Sequence, residues 1–199
     1  RGSVESGTLE ISSAEIDVDV RALHPDWRLR DGQHALIAGE YASGSRPQLD
    51  MVESHTHIKM MRWKTPILAS VDWKVGVASD LPWQVLISTH IGQVNVDLAN
   101  VIINDAVIAT GFGDIRLVSP FEAFSDLHVY STLGNIHIIT PEGYNTQIII
   151  PGSRLFRVNS DEERYENVEP GVYVARHADD DAPLVTVYVR GTFGDAYLA

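Results

Sequence analysis

His55 and His57, separated only by Thr56, are the side chains of this chain best spaced to hold a metal ion. On an extended strand, residues two apart leave the same face, so both imidazoles can reach one ion. A glutamate close behind would complete such a site, but none stands between Glu53 and Glu122. Two strand histidines bonded to polar neighbours are the plainer reading. Asp179-Asp180-Asp181 is the second constellation. Glycosidic cleavage needs two carboxyl groups facing one bond at about 5 to 9.5 Å. A calcium loop alternates its ligands and includes a glycine. Three consecutive aspartates before Ala182-Pro183 match neither and read as a solvated turn. No nucleophile elbow, phosphate-binding loop or dinucleotide fingerprint occurs, and Gly111-Phe112-Gly113 is only a fragment of the last. The absence of cysteine excludes disulfides, thiolate zinc sites and cysteine nucleophiles. We assign no catalytic, cofactor-binding or metal residue, and expect a chain that is not an enzyme.

The residues that do recur serve architecture. Gly92, Gly113 and Gly134 follow one another at 21 residues, and Gly194 lies 60 further on, close to three periods. Three positions before each glycine stand Thr89, Thr110, Ser131 and Gly191; one before stand Ile91, Phe112, Leu133 and Phe193; one after stand Gln93, Asp114, Asn135 and Asp195. Val85, Ile87, Val94 and Val96 in the first unit are matched by Ala106, Ile108, Ile115 and Leu117 in the second, and by Leu127, Val129, Ile136 and Ile138 in the third. Repetition at this length marks a parallel β-solenoid of about 20–21 residues per coil, in which a unit buries its apolar side, the residue before the glycine included, by stacking on its neighbours. The glycines are expected at corners that need positive φ or close backbone approach. The polar residue after each tolerates the same region and is expected to bond its own backbone. His90, His128 and His137 share no column and are expected on outward faces.

Alternation of apolar and polar residues continues outside the repeats. Leu9, Ile11, Ile16, Val18 and Val20 read as half-buried strands, as do Ala35 to Tyr41, Gln48 to Trp63 and Val71 to Val77. Arg21 to Gly32 and Ser43 to Pro47 read as loops, and Lys64 to Pro66 as a break. Asn145 to Val158 resembles a degenerate coil, Ser160 to Glu169 an acidic inserted loop, and Leu184 to Leu198 the last coil. Residues 1–81 are then a β-rich N-terminal region packed on the solenoid of residues 82–199, with an acidic insertion near 160–170, the whole forming one continuous all-β domain. Trp27, Trp63, Trp73 and Trp83 all precede or open the repeats and are expected to plug the open end of the stack. An antiparallel sandwich or jelly roll is the alternative, but its strands have no reason to repeat at 21 with matching turn residues.

At 199 residues and 44% apolar composition the chain can bury a substantial core. A net charge of −12 argues against nucleic acid and against an anionic lipid surface. The start at Arg1-Gly2-Ser3, without an initiator Met, leaves room for a targeting or membrane segment upstream.

Several of these segments together resemble the bacterial toast-rack proteins and the related C-terminal domains of cell-wall-active antibiotic response proteins. The matching segments are Gly7-Thr8-Leu9-Glu10-Ile11, Ala35 to Tyr41 followed by Pro47, the Trp73 strand leading through Leu81-Pro82-Trp83, Asp97-Leu98-Ala99-Asn100 and Gly111-Phe112-Gly113-Asp114. His90-Ile91-Gly92-Gln93 and Thr132-Leu133-Gly134-Asn135 depart from the family's Gly-x-Gly-Asp corner. The resemblance implies a β-solenoid carried by a membrane-anchored bacterial protein, on either side of the membrane. Some relatives modulate envelope-stress signalling by restraining a sensor kinase. The expected partner is therefore a protein, a membrane sensor among the candidates, with homo-oligomers also open. Arg116, His137, Tyr130, Tyr188 and Arg190 are outward positions available for it. A carbohydrate-binding or polysaccharide-processing β-helix and a self-assembling structural protein are the alternatives.

Overall fold

The computed structural model describes residues 4–23, 35–41, 48–62 and 72–199. The expected loops at Arg21 to Gly32 and Ser43 to Pro47 (apart from Arg21, Ala22 and Leu23), the break at Lys64 to Pro66, and Trp27 and Trp63 lie outside them. The described residues are all-β, with no helix, and their 17 strands join into one sheet. In chain order these are β1 (Ser6–Glu15), β2 (Asp17–Ala22), β3 (Ile37–Glu40), β4 (Gln48–Val52), β5 (His55–Arg62), β6 (Asp72–Val77), β7 (Pro82–Ile91), β8 (Val94–Asp97), β9 (Ile102–Phe112), β10 (Ile115–Val118), β11 (Leu127–Leu133), β12 (Ile136–Ile139), β13 (Asn145–Ile149), β14 (Phe156–Ser160), β15 (Tyr165–Glu169), β16 (Val172–Ala175) and β17 (Leu184–Leu198).

Two ladders of strands run side by side. The first passes from β5 through β1, β7, β9 and β11 to β17 and β13, every pair parallel. The second passes from β6 through β2, β8, β10 and β12 to the far half of β17 and then β14, again parallel throughout. Antiparallel pairs occur at the ends: β4 on β5 and β3 on β6 at one, β16 on β13 and β15 on β16 at the other. The sheet is thus mixed, parallel inside and antiparallel where it stops. Antiparallel finishing strands reverse the pattern that would otherwise template a further parallel copy.

The period-2 pattern sends alternate residues between the ladders. Ile58, Leu9, Val85, Ala106, Leu127, Val187 and Ile148 form one buried column, each beside the next across the strands. Trp73, Val18, Val94, Ile115, Ile136 and Ala196 form its counterpart in the second ladder. Each fully buried Val, Leu or Ile contributes about 1.5–3 kcal/mol relative to exposure, so the interior columns hold the ladders together.

The 21-residue spacing is the register of β7 on β9 and of β9 on β11. The 60-residue gap, however, does not contain intervening levels. Leu133 pairs directly with Phe193, so β17 stacks on β11 itself. The residues between form β13 and β14, which stack on the outer side of β17, and the β15–β16 hairpin. Both chain ends therefore insert one level inward: β1 lies between β5 and β7, and β17 between β11 and β13. The ladders also cross residues 81 and 82 without a break, because β1 and β2 pair with β7 and β8.

Two expectations about the flanking segments are corrected. Residues 160–169 are not a loop, since Tyr165–Glu169 is a strand and Tyr165 is buried, its hydroxyl donating to Thr140 Oγ1 at 2.7 Å. Trp83 is wholly buried on β7, between β1 and β9, rather than plugging an open end, whereas Trp73 is wholly buried on β6, the last parallel strand of the second ladder. Trp83 lies beneath Gly7, where an added Cβ would overlap its ring, and donates its indole N–H to the Ala78 carbonyl at 2.7 Å.

Between the ladders the chain turns at the glycines. Gly92, Gly113, Gly134 and Gly194 have φ of 144°, 141°, 149° and 127°. A Cβ on any of them would overlap a carbonyl of the preceding level: Ile16 for Gly92, Gly92 for Gly113, Gly113 for Gly134 and Gly134 for Gly194. Both requirements select glycine. Two of the polar residues that follow bond the next level: Asp114 Oδ1 accepts from Asn135 N–H at 2.7 Å, and Asn135 Oδ1 from Asp195 N–H at 3.1 Å. Asp17, which follows Ile16 one level before Gly92, accepts likewise from Gln93 N–H at 2.6 Å. Neighbouring strands lie about 4.8 Å apart, a gap that a short Asx side chain can bridge to the next N–H.

Candidate interaction surface

His55 and His57 do leave the same face of β5, but cross-strand partners occupy both. His55 meets Ser6 Oγ at 2.8 Å through Nδ1 and Thr8 Oγ1 at 3.1 Å through Nε2. His57 Nε2 lies 3.1 Å from Glu10 Oε2, and Lys59 Nζ lies 2.9 Å from Glu10 Oε1. The Lys59 hydrogen bond leads the effects that hold the Glu10 carboxyl below its ordinary range, against some burial that raises it. The glutamate that sequence spacing sought downstream comes from the adjacent strand. Among the described residues no group of three or more His, Cys, Asp or Glu side chains is placed to hold an ion. Asp179, Asp180 and Asp181 are all exposed, with Asp179 N–H bonded to the Gly143 carbonyl at 2.9 Å and its own carbonyl accepting from Ala182 N–H at 3.0 Å.

The outward faces are richer where β11 and β12 meet β17. On the first ladder His128 pairs with Tyr188, and Tyr130 with Arg190. The His128 and Tyr188 rings stack at 5.3 Å and 19°, and His128 also stacks on Tyr130 at 6.1 Å. On the second ladder Arg116 pairs with His137, and His137 stacks on Tyr197 at 4.8 Å and 12°. Arg116 and Arg190 are exposed, and neither forms an ion pair among the described residues. His90, His128 and His137 occupy separate columns on outward positions.

Between these faces lies a feature that sequence reasoning missed. Ile91, Phe112, Leu133 and Phe193, read there as part of the buried pattern, stand in one column along the corner and are 51%, 54%, 49% and 46% exposed. Strict alternation would point the residue before each glycine inward. The corner bends the strand at that position and turns half of each side chain to solvent. Periodicity measures apolarity, not the direction of a bend, so only the repeat of a large apolar residue beside each glycine signalled it.

A separate cleft of about 180 Å³ lies beside the β15–β16 hairpin, lined by Thr140, Glu142, Tyr144, Arg164, Tyr165 and His177 among others. Its polar groups serve the fold. Arg164 Nη2 donates to the Thr140 carbonyl, and Tyr144 Oη to the Ala99 carbonyl at 2.8 Å. Burial pushes the phenols of Tyr165 and Tyr144 above their ordinary range.

The fold has a precedent. The chain superposes on the crystal structure described as "a putative cell adhesion protein from Clostridium sporogenes ATCC 15579" with a TM-score of 0.75 and 11% sequence identity, over 99% of this chain and 93% of that one. At that identity the likeness is one of fold. No family model matches the sequence, and no curated protein matches it.

Proposed function

We propose that this chain is a non-enzymatic interaction module of a bacterial membrane-tethered protein, and that it docks a protein partner on the outside of a rigid parallel β-solenoid. The 21-residue register of β7, β9 and β11, with strands turning at stacked glycines, supports the solenoid and the toast-rack comparison. The observation that carries docking is the cluster of exposed Tyr130, Tyr188, Tyr197, Arg116 and Arg190 around a half-exposed apolar corner. Tyrosine, phenylalanine and arginine are the residues on which protein interfaces concentrate their binding energy. A preorganised face also loses little ordering entropy on binding. The adhesion role in the description of the Clostridium protein is attachment rather than chemistry, and agrees with this reading.

A glycan platform is less favoured, because sugar stacking needs ring faces open to solvent and the His128, Tyr188, His137 and Tyr197 rings stack on one another. Some members of the toast-rack family that the sequence resembles restrain a sensor kinase, so a membrane sensor is the partner to seek first. The test uses the chain as bait in detergent-solubilised membranes of its source organism, with crosslinking and an unfolded control. Recovery of one membrane protein by the folded bait is the expected result; recovery of envelope glycan alone, or of nothing beyond the bait, contradicts the reading.

A further inference from the structure

The chain returns from the second ladder to the first on the side opposite the glycines, through turns at 98–101, 119–126 and 140–144. These turns form one surface. Ile103 N–H donates to the Glu122 carbonyl at 3.3 Å, and Phe124 N–H to the Ile103 carbonyl at 2.8 Å. Phe121 meets Tyr144 edge-on at 5.2 Å, and the Tyr144 hydroxyl is bonded to Ala99. The segment leading into β17 joins them, since Gly143 N–H donates to the His177 carbonyl at 3.1 Å and Asp179 N–H to the Gly143 carbonyl at 2.9 Å. Phe124 and Leu184 each stand three residues before the register pair of Leu127 and Val187, on adjacent levels.

Two properties of this surface combine. Phe121, Phe124 and Leu184 are 45%, 64% and 53% exposed, while Leu98 and Val101 of the neighbouring turn are buried. At ~200 Å² for a large side chain, the three offer roughly 300 Å² of apolar surface, the lower bound of patches that often serve a function. Around them stand the carboxylates of Asp97, Glu122, Asp126 and Glu142 and of the Asp179-Asp180-Asp181 turn, all exposed. None forms an ion pair with another described residue. Between Lys74 and Arg154 the only lysine or arginine is Arg116, which is exposed on β10. Arg21, which follows the Val20 that pairs with Val96, and Arg164, which donates to the Thr140 carbonyl, stand at the margins. An apolar patch alone would fit many occupants, and the uncompensated charge around this one selects among them. It repels anionic lipid, nucleic acid and the same face of a second copy, and attracts a cationic partner.

We propose that this corner binds a basic segment of a partner protein, in which lysines or arginines are interspersed with apolar side chains. The apolar side chains of the segment cover Phe121, Phe124 and Leu184, and its cations pair with the carboxylates at the rim. A lysine or arginine over the exposed Phe124 ring adds a cation–π contact. A polyamine or a metal ion would satisfy the charge but leave the phenylalanines in water, so the ligand that fits both properties is a peptide segment. Tyr130 and Arg190 stand further along their strands, toward the glycines, and the proposal does not rest on docking there.

Nuclear magnetic resonance titration of the intact chain tests this, with a short peptide alternating lysine and leucine as the probe. Two further peptides carry glutamate in place of lysine, or glycine in place of leucine. The lysine–leucine peptide is expected to bind saturably, to shift the amides of 97–101, 119–126, 140–144 and 177–184, and to weaken at least tenfold between about 20 and 300 mM salt. The glutamate peptide should not bind, and the glycine peptide should bind at least tenfold more weakly. Phe121→Ser combined with Phe124→Ser should weaken binding at least tenfold, as should Glu122→Gln combined with Asp126→Asn. Asp17→Asn combined with Asp114→Asn removes the same charge at the glycine corner and keeps an oxygen acceptor at both positions. That pair should leave binding within about twofold. Thermal melts of each variant confirm that it folds. Equal weakening by the two charge-removing pairs, binding indifferent to the Phe substitutions, shifts confined to the glycine corner, or no binding of the lysine–leucine peptide would each overturn the proposal.

Discussion

Replacing Gly113 with alanine adds one methyl group at the centre of the stacked corners. Its φ of 141° lies in a region that non-glycine residues enter at a cost of about 1–3 kcal/mol. The new Cβ would also overlap the Gly92 carbonyl oxygen, and backbone on both sides prevents a side-chain rearrangement from relieving it. The two levels must move apart, which stretches the bond that joins them, from Gly92 N–H to the Phe112 carbonyl, 2.9 Å in the native corner. A weakened backbone bond adds about 1 kcal/mol, so the total is about 2–4 kcal/mol. For a chain of this size 1 kcal/mol moves Tm by roughly 2–4 °C, and the expected loss is roughly 5–15 °C. Gly152→Ala is the matched control, since an added methyl there meets no atom within 4 Å. Differential scanning calorimetry of the two variants beside the native chain reads the difference. A Gly113→Ala melt within about 1 °C of the control would refute the corner argument.

Two further substitutions probe the polar features. Gln93 interrupts the Asx ladder, so Gln93→Asn should place an acceptor near the Asp114 N–H and raise Tm by roughly 1–3 °C, about one neutral hydrogen bond; an unchanged or lowered Tm counts against the ladder. Glu10→Gln should lower stability at pH 7 by less than about 1 kcal/mol, because the Glu10–Lys59 pair is partly exposed and screened by solvent. Glu10 has a folded-state pKa below its ordinary value, so its contribution is present above that ordinary value and is lost as pH falls through the lowered one. The two melting curves should therefore converge as pH falls through that lowered range, and a gap that stays constant with pH would contradict this linkage.

Much of the fold was legible because its constraints are local. A corner that tolerates only glycine repeats its glycine, and a half-buried strand alternates whatever lies beside it. The stacking order was not legible for the same reason. β17 satisfies the repeat equally well one level or three levels from β11, and only long-range pairing shows that Leu133 meets Phe193 directly. The partners of His55 and His57 come from Ser6, Thr8 and Glu10, on a strand the local spacing could not reach. Of the surface, Arg116, Tyr130, Tyr188, Arg190 and His137 were readable as outward positions from the columns. The exposed Ile91, Phe112, Leu133 and Phe193 were not, because apolar character at a bend looks the same as apolar character in a core.

The most direct test of the central claim pairs the native chain with an Arg190→Glu, Tyr130→Ala variant in the same membrane capture. Both residues are exposed neighbours across β11 and β17, so their replacement should leave the melt nearly unchanged. The account predicts that one membrane protein is recovered with the native chain and at least tenfold less of it with the variant. Equal recovery by both would contradict docking on this face.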